Sequence, residues 1–181
     1  YFYDNCAYCF YKLRNFEKAI EYYKKAIDVG YNVPSCMYNI ACCYSLMNNE
    51  KETVAWLEKA AEFKFRNFEE AVSVDKDLDP VRNSTIFKRE IMPSRDLFKS
   101  RDEGWLTDIR FMKKRMEQTH FDLFSNISKE QWDASFDAIL AKAGTLDDQQ
   151  LLAEMLKITA SVGDGHTVVF PPLKGNLRVN M

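Results

Sequence analysis

Glycine and proline are scarce here, six and five of 181 residues. That excludes the low-complexity composition of a disordered linker. A surplus of one charge is missing too: 25 basic residues stand against 27 acidic ones, a net charge of −2. Nothing general draws such a chain to nucleic acid or anionic lipid, and no nucleic-acid partner is expected. No apolar run approaches the ~18 residues of a membrane span, and no basic start with an apolar core reads as a signal peptide. Histidine is rarer still, at positions 120 and 166 only, far from the five cysteines, which all lie within the first 43 residues. A zinc site usually draws on two close ligand pairs. Cys6, Cys9, Cys42 and Cys43 are instead read as small packing residues set among Ala, Tyr and Phe. No metal and no cofactor is expected.

What is abundant is apolar and charged surface together, 46% and 29% of residues, the balance of a helix-rich globular chain. Self-similarity is the informative feature. Ala7 recurs as Ala41, Cys9 as Cys43, Phe10 as Tyr44, Leu13 as Met47, Tyr23 as Leu57 and Ala26 as Ala60, each pair 34 positions apart. In each unit an apolar helix meets a short polar break ("LRN", "MNN") and then an amphipathic helix, "FEKAIEYYKKAIDV" or "KETVAWLEKAAEF". Each helix pair leaves an apolar face that only a neighbouring pair can cover. Ala7, Ala19, Ala26, Ala41 and Ala60 permit close approach, and Tyr23, Phe10, Tyr44 and Leu57 fill the remaining space.

These residues resemble the tetratricopeptide repeat in length and in small/large pattern, most closely over residues 1 to 63. Thr53 stands where the first unit has Ala19. A third unit fails, because "SVDKDLDPVRNSTIF" carries a proline and no helical stripe. "FRNFEEAV" is expected to form a short closing helix, "DKDLDP" a loop, and Phe87 to pack back, so residues 1–90 form repeats plus a cap. Two repeats fall below the roughly three needed to stand alone, so further repeats or a neighbouring domain are expected to support them. The resemblance implies a protein or peptide ligand on the inner surface of the first helices, at Tyr8, Tyr11, Tyr38 and Cys42. Tyrosine suits such a surface, giving large contact area at low entropic cost. The competing reading makes these four ordinary half-buried helix residues.

Residues 91–102, with Pro93 and mixed charges, read as a linker. Three helices are expected over 103–163. The first puts Trp105, Ile109, Met112 and Met116 on one face. The second opens with a capping box, Ser128 and Gln131, and carries Trp132, Phe136, Ile139 and Leu140. The third is expected to start at Thr145, to turn Leu152, Met155, Leu156 and Thr159 inward and to stop at Gly163. His120, at the end of the first helix, suits the negative end of its dipole. Beyond 163 the period changes to that of a strand in "HTVVF" and "GNLRV". Residues 164–181 therefore read as one or two short β-strands opening a further core, and the chain as part of a longer protein.

"WLTDIRFMKKRMEQTHFDLFSNISKEQWDASFDAIL" and "GDGHTVVFPP" resemble the helical segment of tail-specific (C-terminal processing) serine peptidases, over about residues 103–175. The resemblance implies a β-rich catalytic core downstream that supplies the serine, and leans towards an extracytoplasmic setting, against which the unpaired cysteines weigh. His166 is then the candidate general base, with Asp164 orienting its ring or capping the turn. Gly165 stands where the tricorn-like branch of that family carries a serine. Without the core, residues 1–181 are expected to be inactive, since base and nucleophile act as a unit. The alternative is a non-enzymatic adaptor that uses the repeats to bind a partner peptide.

Overall fold

A computed structural model describes residues 1–164 and residue 167. The chain divides into two compact units, Tyr1–Leu97 and Phe98–Met181. The described residues are mostly α-helical and contain no strand. Apart from Thr167, the strands expected in "HTVVF" and "GNLRV" lie outside them.

The first unit opens with two helical hairpins: α1 (Phe2–Lys12) with α2 (Phe16–Asp28), then α3 (Val33–Leu46) with α4 (Glu50–Glu62). The 34-residue period is written into the backbone. Asn15 and Asn49 cap the second helix of each pair, their side chains accepting from the amides of Lys18 and Glu52 at 3.2 and 3.3 Å. The residue before each cap is left-handed, Arg14 at φ 57° and Asn48 at φ 58°. A second matched pair ends the hairpins, Gly30 at φ 72° and Lys64 at φ 59°. Arg14 and Lys64 occupy a region that favours glycine or asparagine, so flanking caps and packing hold these turns.

The five alanines singled out by the repeat are fully buried, as are Tyr23 and Leu57 to within 1%. Thr53 replaces Ala19 without an orphan polar group, because its buried hydroxyl donates to Asn49 O at 2.8 Å. Phe10 and Tyr44 are only half-buried. Burying each large apolar side chain contributes about 1.5–3 kcal/mol, far more than any single cap.

The cap follows as α5 (Phe68–Val74), a 3-10 turn (Lys76–Leu78), α6 (Asp79–Arg82) and α7 (Thr85–Glu90). The expected loop "DKDLDP" is thus wound into helical turns. Leu78 and Val81 account for it: each is at most 1% exposed, packed into the core that holds Leu57, Ala60 and Phe87. Arg82 ties the segment together, donating to Val72 O at 2.7 Å and Asp75 O at 2.6 Å. Phe87 does pack back, at 1% exposure.

In the second unit α8 (Arg101–Thr119), α9 (Lys129–Lys142) and α10 (Asp148–Ser161) share one core. Trp105, Ile109, Met112 and Met116 are buried along α8 as their spacing requires. Ser128 and Gln131 form the capping box of α9. Trp132 packs on Phe136, ring centroids 4.7 Å apart. Two details of the third helix differ from expectation. Its N-cap is Asp147, boxed with Gln150, not Thr145. Its stripe also differs: Leu151, Met155, Ile158 and Thr159 are buried, and Leu152 and Leu156 sit at the margin. Trp105 Nε1 and Arg101 Nε converge on Asp148 Oδ1 at 2.8 and 2.7 Å, which fixes the start of α10 against the start of α8.

Candidate interaction surface

Three of the four sequence-derived ligand-binding residues come together in the first unit. Tyr11 on α1 and Tyr38 and Cys42 on α3 all turn towards the segment that follows α5. Tyr11 donates its hydroxyl to Asp77 Oδ2. Tyr38 donates to Asp75 Oδ2 at 3.0 Å, and the Cys42 thiol donates to the same oxygen at 3.7 Å. Asp75 Oδ1 accepts from the amide of Asp77 at 2.9 Å, which shapes the 3-10 turn and holds both carboxylates towards the repeats.

Burial separates the four residues. Tyr38 is 5% and Cys42 3% exposed, and Tyr11 is half-buried. Tyr8 remains open at 53%, stacked beside Tyr11 with centroids 6.2 Å apart and Lys12 over its ring. The Tyr38 ring lies flat on Phe65, 4.5 Å between centroids and 3° between planes. The repeat face is therefore an aromatic surface edged by hydroxyl and thiol donors, with an acidic turn of the same chain seated on it.

Electrostatics keep those donors protonated. Burial, then the hydrogen bond and charge of Asp77, push the Tyr11 hydroxyl well above its ordinary range. Burial, then Cys42 and Asp75, do the same for Tyr38. Burial, then the two aspartates, push the Cys42 thiol up as well. Ligand atoms of Cys42, Asp75 and Asp77 lie within 4.8 Å of one another. A thiol held neutral by its surroundings is a poor metal ligand, and its proton already serves Asp75. The cluster reads as a hydrogen-bond network.

Comparison with known families fits this architecture. Residues 1–29 and 34–67 match the tetratricopeptide repeat. These two stretches are tetratricopeptide repeats. The match covers the two hairpins, α1 with α2 and α3 with α4, and extends just past α4. No curated protein and no solved structure matches the chain. The repeats suggest protein–protein interaction.

His166 lies outside the described residues. Asp164, expected either to orient that ring or to cap the turn, is engaged by the other histidine. His120, at the C-cap of α8, places Nε2 2.7 Å from Asp164 Oδ2 and 2.8 Å from Thr167 Oγ1. Its Nδ1 accepts from the amide of Asp122 at 3.1 Å, which puts the proton of a neutral ring on Nε2, facing the carboxylate. Asp164 also accepts from the Thr167 amide at 2.6 Å and hydroxyl at 3.0 Å. With both ring nitrogens engaged, His120 fastens the turn. Gly163 makes the turn possible: its φ is +76°, and a Cβ there would stand 3.0 Å from Asn126 Nδ2.

Sequence reasoning missed Asp75, Asp77 and the role of His120. The alternation of acids in "DKDLDP" was the available signal, and it was spent on a loop.

Proposed function

We propose that this chain is a protein-interaction module whose tetratricopeptide repeats bind a partner polypeptide across the face carrying Tyr8, Tyr11, Tyr38 and Cys42. The observation that supports this most is the seating of Asp75 and Asp77. The chain's own acidic turn is received by neutral donors on that face, which defines a chemistry suited to a segment with carboxylates two residues apart. Tyr8, still open beside the occupied donors, offers the first contact. An incoming segment takes the remaining donors as the turn gives way.

The test is a fluorescent peptide of residues 72–80, VSVDKDLDP, titrated into the whole chain and into the Asp75→Ala/Asp77→Ala variant. Binding at least tenfold tighter to the variant, weakened again by Tyr38→Phe, supports the reading. Failure of the peptide to bind a variant that retains its helicity overturns it.

A second reading rests on the resemblance of residues 103–175 to tail-specific peptidases. In a longer protein with the catalytic core, the repeats would hold a protein substrate while the second unit frames the cleft. His166 would then be the base, and Asp164, already held by His120, would shape its turn. A fluorophosphonate probe should not label residues 1–181, and labelling of any serine here would overturn the assignment of the nucleophile to the core.

A further inference from the structure

The two second helices carry a lysine over an aromatic ring at the same register, and only one of those lysines is neutralised. In the first repeat Lys25 lies over Tyr22, 4.6 Å from ammonium to ring centroid, and Glu21, four residues before it, pairs with it at 2.6 Å. At the positions 34 residues on, Lys59 lies over Trp56 at 4.1 Å. The residue equivalent to Glu21 is Ala55, exposed on α4. The second repeat thus keeps the ring and the cation and lacks the carboxylate.

A second ammonium comes to the same ring. Lys24 of α2 reaches across to Trp56, 5.5 Å from its centroid, and both lysines are exposed. Asp28 stands i+4 from Lys24 and Glu62 i+3 from Lys59, spacings that allow ion pairs on a helix. Neither pair forms, and the lysines turn to the indole instead. Trp56 is half-buried at the edge of both repeat cores, bounded by α2 on one side and α4 on the other. The indole N–H groups of Trp105 and Trp132 donate to Asp148 and Glu117. That of Trp56 meets no acceptor among the described residues.

Two like charges held at one ring leave a local positive potential. The ring is not free for a nucleic-acid base to stack on, because the cores and the ammonium groups already cover it. What remains to be offered is N–H donors, two ammoniums and an indole edge, and a carboxylate accepts from such a set through charge-assisted hydrogen bonds. We propose that Trp56, Lys24 and Lys59 bind a glutamate or aspartate side chain of an acidic partner peptide, seated as Glu21 is seated in the first repeat. The site belongs to the second helices, whereas Tyr8, Tyr11, Tyr38 and Cys42 belong to the first.

The probe is a fluorophore-labelled penta-glutamate peptide, titrated into the whole chain by fluorescence anisotropy while NMR follows the Trp56 indole N–H, assigned with Trp56→Phe. Ala55→Glu is the decisive variant. It supplies within the chain the carboxylate that Glu21 supplies to Lys25, at an exposed helix position that glutamate suits. Lys142→Gln removes the same charge from an exposed position in the second unit. Support is saturable binding that shifts the Trp56 indole resonance and weakens at least fivefold in Ala55→Glu and in Lys24→Gln/Lys59→Gln, with Lys142→Gln and Tyr38→Phe unchanged. The proposal is overturned by absence of saturation, by equal binding to Ala55→Glu, or by equal loss in Lys142→Gln, which would mean attraction to charge alone. Displacement of the peptide by an equal concentration of a thymidine decamer would overturn it in favour of nucleic acid. Loss in Tyr38→Phe would overturn it by moving the peptide to the first helices. Failure of the VSVDKDLDP titration, read on those first helices, leaves the Trp56 site standing.

Discussion

Tyr38 and Asp75 join the second repeat to its cap, hydroxyl to carboxylate at 3.0 Å across 37 positions of sequence. The tyrosine ring is meanwhile clamped flat on Phe65. Tyr38→Phe keeps the stacking and removes one donor to Asp75. Equilibrium urea unfolding should show a loss of about 1–2 kcal/mol, against about 3–5 kcal/mol for Tyr38→Ala, which also opens a cavity. Equal losses for the two variants would mean that the hydroxyl carries the whole interaction.

Alkaline pH should weaken the first unit before it affects chemistry elsewhere. Burial pushes the Cys36 and Cys43 thiols up to about 12 from an ordinary 9.0. Between those values the folded chain keeps protons that the unfolded chain has released, so stability is full below about pH 9 and falls as pH rises towards 12. The slope is at most about 1.4 kcal/mol per pH unit for each thiol. Urea midpoints at pH 8 and pH 10.5 measure it, and Cys36→Ala/Cys43→Ala should flatten the difference. Raised tyrosines, Tyr23 among them, extend the same trend above about pH 10.

The matched caps offer an additive pair. Asn15→Ala and Asn49→Ala should each cost about 1 kcal/mol. Together they should cost the sum, because they close different turns and share no partner. A double variant clearly worse than the sum would show that the two hairpins exchange strain.

His120→Ala should release the turn that Asp164 organises. The Thr167 amide, 2.6 Å from Asp164 Oδ1, should then exchange with deuterium faster, while amides in the middle of α9 keep their protection. Unchanged exchange at Thr167 would mean that Gly163 and Asn126 hold the turn without the histidine.

Much of the helical architecture was legible from spacing alone. Helix stripes such as Trp105–Ile109–Met112–Met116 and caps such as Ser128–Gln131 depend on residues within a turn or two, so a linear reading reaches them. The third helix of the second unit shows the margin of error. Thr145 and Asp147, two residues apart, both look like caps, and packing against α8 and α9 buries Leu151 and Ile158 ahead of Leu152 and Leu156. Asp147 prevails because Gln150 completes its box and because Asp148 is then presented to Trp105 and Arg101, contacts 43 and 47 positions away.

By itself the sequence determined the repeat. A period of 34, five alanines where helices touch and an asparagine before each second helix leave the backbone one economical arrangement, since each of those preferences acts locally and all agree. Only the tertiary structure decided what lies on the repeats. Burial of Leu78 and Val81 draws the acidic turn onto Tyr11, Tyr38 and Cys42, and the folding of α8 back towards residue 164 gives Asp164 to His120. Those pairings join residues 33 to 66 positions apart, and no local propensity encodes a partner at that range. It is selected by which apolar surfaces must be buried together.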